Sequence, residues 1–120
     1  MKSFVLLLTG LLFAPSLLFA GEADVVNVAV QREGSSYVFD VTVAHHDEGW
    51  QHYADSWDIV APDGQIIATR VLYHPHVNEQ PFTRSLSGVI IDQEVTSVVV
   101  RAHDLVHGYG GREVSVDLPE

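Results

Sequence analysis

The chain contains no cysteine, and Met1 is its only methionine. Those absences exclude a disulfide framework, thiolate metal sites, a cysteine nucleophile, iron–sulfur clusters and methionine-rich Cu(I) chemistry. Lysine is nearly as scarce: Lys2 stands alone, so Schiff-base chemistry in a folded domain downstream is excluded. Six basic residues face sixteen acidic ones, for a net charge of −10. Such a balance suits neither nucleic acid nor an anionic lipid surface. No amphipathic helix of useful length can be traced. Histidine, by contrast, is abundant: there are seven, all beyond residue 44.

The first residues have the order of a secretory signal peptide. Met1-Lys2-Ser3 is positive, Phe4 to Phe19 is almost wholly apolar, and Ala20 is a small residue just before Gly21-Glu22. The sequence predicts a leader over 1–20 and one domain over 21–120, with cleavage after Ala23 as the alternative. An uncleaved anchor is the competing reading. The apolar run falls short of the roughly 20 residues that span a bilayer, and Thr9, Gly10 and Pro15 interrupt it. No cysteine follows to carry a lipid. The expected location is the periplasm or the exterior, without membrane attachment after cleavage. Without Lys2, five arginines face the sixteen acids and the domain carries −11. About 100 residues hold one core, not two.

Beyond the leader, short β-rich runs alternate with turn signals. Tyr37, Phe39, Val41 and Val43 share one face of a run, with Asp40 and Thr42 on the other. That is the period-2 pattern of a half-buried strand. Seven such runs are predicted, over 25–30, 37–44, 56–61, 65–73, 82–91, 96–104 and 112–118. The expected fold is all-β: a single seven-stranded antiparallel β-sandwich, immunoglobulin/fibronectin III-like in architecture, with Trp57 in the core. A closed barrel is the alternative. Asp40, Glu113 and Asp117 read as solvated faces, and Arg70, Arg84 and Arg101 as partners for the many carboxylates.

Successive connections of an antiparallel ladder alternate between its two ends. Glu33-Gly34-Ser35, Pro62-Asp63-Gly64 and Asp92-Gln93-Glu94 then share one end, which holds no histidine. The other end receives the loops bearing His45, His46 and His52, then His74 and His76, then His103 and His107. His74-Pro75-His76 is the best chelating pair, since extended chain puts residues i and i+2 on one face about 6.6 Å apart. Of His45-His46, one ring points in and one out. His103 and His107 need a turn to converge, which Gly108, Gly110 and Gly111 permit. Each motif has a plainer reading as turn or surface histidines, and the set has one as a pH-responsive face. Their predicted meeting at one rim favours a divalent transition metal. Imidazole and carboxylate without sulfur suit Cu(II) or Zn(II). Asp47, Glu48, Asp55 and Asp104 are the expected carboxylate partners that orient ligating rings.

The domain reads as a carrier, buffer or sensor rather than an enzyme. A small zinc hydrolase with Glu48 or Glu79 as base is conceivable, yet no nucleophile elbow, phosphate loop or zinc-protease motif is present. The alternative is a module without metal, in which Trp50, Tyr53, Tyr73 and Tyr109 bind a glycan or a protein partner.

The stretches Trp57-Asp58-Ile59-Val60-Ala61-Pro62-Asp63-Gly64, Tyr73-His74-Pro75-His76-Val77, Ala102-His103-Asp104 and His107-Gly108-Tyr109-Gly110-Gly111 carry a resemblance. In them the chain resembles a group of short exported proteobacterial proteins of unassigned function. The resemblance implies a self-contained exported domain and no particular activity.

Overall fold

The structure, a computed structural model, describes residues 21–120. The leader predicted over 1–20 lies outside the described residues. Seven strands follow: β1 (Asp24–Glu33), β2 (Ser36–Ala44), β3 (Ala54–Val60), β4 (Ile66–Val71), β5 (Phe82–Val89), β6 (Ser97–Asp104) and β7 (Val114–Asp117). They form two antiparallel sheets, β1-β2-β5 and β4-β3-β6-β7. The expected β-sandwich is therefore present, and the sheets do not close into a barrel. In the immunoglobulin constant-type arrangement the fourth strand joins the first, second and fifth. Here β4 pairs with β3 instead.

Alternation explains the core. Tyr37, Phe39, Val41 and Val43 of β2 are buried, as are Val98, Val100 and Ala102 of β6 and Trp57 and Ile59 of its neighbour β3. Each fully buried aliphatic side chain contributes roughly 1.5–3 kcal/mol. In β3 the period slips by one. A bulge between Ala54 and Ser56, in the pairing with β6, leaves Asp55 as the extra residue. Ala54 and Trp57 are consequently both buried with two residues between them.

Arg84 pairs with Glu79 at 3.1 Å and Arg101 with Asp58 at 3.3 Å, as expected. Arg70 does not pair with a carboxylate. It donates to the carbonyl of Ser85 at 2.9 Å, joining the β4 edge of one sheet to β5 of the other.

The start of β1 packs against the segment ahead of β7. Val25 N donates to Arg112 O at 2.8 Å, and Arg112 N to Asp24 Oδ1 at 2.7 Å. Gly111 permits this approach, because a Cβ there would lie 2.0 Å from the Ala23 carbonyl oxygen. Gly111→Ala is expected to cost about 1–3 kcal/mol as backbone is forced apart. Thermal unfolding followed by circular dichroism measures this, and an unchanged Tm would contradict it.

Candidate metal centre

Period-2 alternation delivers the first two groups of the site. In β2 the inward phase of Val41 and Val43 continues to His45, which is buried, while His46 is exposed. In β6 the phase of Val98, Val100 and Ala102 continues to Asp104, which is fully buried, while His103 faces outward. His45 and Asp104 therefore meet at the end of the core, with Nε2 3.1 Å from Oδ2.

Two loops complete the cluster. After His45 the chain turns through Gly49 and returns with His52, whose Nδ1 lies 2.6 Å from Glu48 Oε1. That bond aims His52 Nε2 inward, 3.6 Å from Asp104 Oδ2. The atom is buried and has no hydrogen-bond partner. After β6 the amides of Val106 and His107 donate to Asp104 Oδ1 at 2.7 and 2.6 Å. This tight turn swings His107 Nδ1 to 3.2 Å from Asp104 Oδ2. Gly21 closes the remaining side: its carbonyl oxygen is 2.8 Å from His45 Nε2, and a Cβ there would lie 2.0 Å from the His107 ring.

Asp47 supports the cluster from behind. Its Oδ1 lies 2.5 Å from His45 Nδ1 and accepts from Ala54 N at 3.1 Å. Its Oδ2 accepts from His76 N at 2.6 Å, tying the loop that follows β4 to the loop that follows β2. The three histidine-bearing loops thus share one end of the sandwich.

Both nitrogens of His45 face acceptors, which favours the imidazolium. Burial pushes its pKa down, but Asp47, the Gly21 carbonyl and the charge of Asp104 outweigh that and raise it. Asp47 and Asp104 are held below the usual carboxylate range. Burial opposes this in both, but His45 and two backbone amides favour ionised Asp47, and the amides of His107 and Val106 favour ionised Asp104. Glu48 raises His52. Burial lowers His76. The Asp–imidazolium–Asp arrangement is a cation held between two carboxylates.

The seven histidines divide into three groups. His45, His52 and His107 surround Asp104. His74 and His76 lie together beyond Asp47, with ring centroids 4.7 Å apart. His46 is exposed, and His103 is on the outer sheet face, its Nδ1 2.6 Å from Asp55. Asp47 lies against the His45 ring and Glu48 against the His52 ring. Asp55 lies against the His103 ring, and Asp104 is at the centre of the first group. Alternation could have shown this, since Asp104 is in phase with three core residues of its own strand. The aromatic residues fall into separate groups. Trp50 meets Tyr53 at 5.8 Å, Tyr109 lies against His103 and Arg101 and donates to Asp58, and Tyr73 is exposed.

Comparison with known proteins gives one relative. A protein described as "Putative lipoprotein" from Halomicrobium mukohataei is 43% identical over 97 residues, covering 80% of this chain. The chain spans 47% of that protein, about half its length. The relative is archaeal, so it does not support the proteobacterial grouping read from the sequence. No family model and no solved structure matches the chain.

Proposed function

We propose that this is an exported domain that binds one divalent transition-metal ion, Zn(II) or Cu(II), between His45, His52 and Asp104, with His107 beside the carboxylate. The observation that carries the reading is His52 Nε2. It is a buried nitrogen without a partner, aimed at a buried carboxylate beside a second imidazole. Ligand atoms of His45, His52 and Asp104 lie within 4.8 Å of one another. Ligands about 2.0–2.1 Å from a tetrahedral ion sit roughly 3.3 Å apart. The separations of 3.1 and 3.6 Å from Asp104 Oδ2 to His45 Nε2 and His52 Nε2 match that spacing. An ion would take the place of the proton on His45 Nε2, with Asp47 still orienting the ring through Nδ1.

Two imidazoles and a carboxylate converge in a buried pocket that His107 and the Gly21 carbonyl close, a setting that suits holding an ion better than admitting a substrate. The role is that of a carrier, buffer or sensor, not an enzyme. The net charge of −10 raises the local cation concentration. Export rests on the leader pattern in the sequence and on the name of the archaeal relative.

Calorimetric titration of the chelator-stripped protein with ZnCl2 or CuCl2 at pH 7 tests the reading. One tightly bound ion per chain is expected. His52→Ala should weaken it at least tenfold while the far-ultraviolet spectrum is retained. Equal affinity in both proteins would overturn the assignment.

A further inference from the structure

His76 is an imidazole that the buried centre does not use. Its side chain is 3% exposed, and neither ring nitrogen has a hydrogen-bond partner. It lies flat on Phe82, with ring centroids 3.9 Å apart and planes 10° apart, so its orientation is fixed. His74 lies in front of it and is exposed. His74 Nδ1 donates to the Pro75 carbonyl at 3.1 Å, which leaves Nε2 with a free lone pair. Both rings line an open cleft of about 540 Å³, together with Gly49, Trp50, Asn78 and Glu79.

We propose that His74 and His76 form a second, exchangeable Cu(II) site in this cleft, beside Trp50. A buried imidazole with no partner on either nitrogen is costly unless something supplies one. A cation shared with His74 does so. Asp47 Oδ2 is 3.9 Å from His76 Nδ1, close enough to lend its charge. Two imidazoles favour Cu(II) over the other common divalent ions. The open side of the cleft leaves the remaining positions to water, and an ion held there by two rings exchanges faster than one enclosed in the buried centre. Asp47 stands between the two sites, with one oxygen on the His76 amide and the other on His45. The cleft is therefore placed as a port beside the buried centre, although neither site requires the other to exist.

The test is a CuCl2 titration of the purified full chain, followed by calorimetry and tryptophan fluorescence. Trp50 is 67% exposed and lines the cleft, whereas Trp57 is fully buried in the core. The wild type should take up two ions, with one binding phase quenching Trp50. His74→Ala, at an exposed position, should weaken that phase at least tenfold and abolish its quenching. Trp50→Phe should keep both ions and lose that signal. His52→Ala should lose the buried ion and keep the quenching. If His74→Ala binds and quenches as the wild type does, or the wild type takes up only one ion without quenching, this site does not exist. Loss of the ion removed by His52→Ala would, in that case, still support the buried centre.

Discussion

Asp104→Asn is expected to abolish tight metal binding and to lower Tm by roughly 15 °C or more in the metal-free protein. The carboxylate is fully buried and takes two backbone amides on Oδ1, while Oδ2 faces His45, His107 and His52. An amide can still accept from Val106 and His107 through its oxygen. Its NH2 then points at His45 Nε2, a donor against a donor, and the imidazolium loses one of its two counter-charges. Removing one member of a buried charge pair costs about 3–5 kcal/mol. That is a large share of the roughly 5–15 kcal/mol that stabilises a domain, and each kcal/mol moves Tm by about 4–8 °C at this size. Asp55→Asn is the matched control. Asp55 also pairs with a histidine at 2.6 Å, but both partners are partly exposed on the outer sheet face, where such a pair is worth about 1 kcal/mol or less. Thermal unfolding and Zn(II) titration of both variants measure the contrast. Similar small losses in both would mean that Asp104 does not anchor the site.

The asymmetry between these two aspartates also marks how much of the site can be read from sequence. The strands were legible because burial repeats every second residue: Phe39, Val41 and Val43 announce β2, and Val98, Val100 and Ala102 announce β6. The ladder's up-and-down order then placed the three histidine loops at one end. Extending the same period by one step gives His45 and Asp104 as inward groups and His46 and His103 as outward ones. The loops have no such period. That His52 turns back onto Asp104 depends on the hairpin at Gly49 and on Glu48 holding Nδ1. That His107 does so depends on two amides capping Asp104. Neither is a repeat, so composition and spacing place these rings near the rim but not in the cluster. The bulge at Ala54/Ser56 defeats alternation altogether. Asp55 by count shares a face with Trp57 and Ile59, yet the inserted residue puts it beside His103.

The pH dependence of stability is the second large effect, and it should invert when metal is added. In the metal-free protein His45 has a raised pKa and Asp47 and Asp104 have lowered ones. A raised histidine stabilises the fold fully below its unfolded value, ordinarily about 6.5, and the contribution disappears as pH climbs through the higher folded value. Lowered carboxylates stabilise the fold above their unfolded value, ordinarily about 3.9, and the contribution disappears as pH falls through the lower folded value. The two windows overlap between roughly pH 4 and 6.5, so the metal-free domain should have its highest Tm there and weaken toward pH 8. A bound ion needs His45 and His52 without the protons it displaces, so its affinity rises over the same interval in which the imidazolium is lost. The increment in Tm from saturating ZnCl2 should therefore be smallest near pH 5 and largest near pH 8, and the holoprotein should be most stable on the alkaline side of the metal-free optimum. Differential scanning calorimetry in chelator and in ZnCl2 from pH 4 to 8 measures both curves. A metal-free optimum at pH 8 would mean that His45 is neutral in the fold. An increment that does not grow with pH would mean that the ion binds somewhere other than these imidazoles.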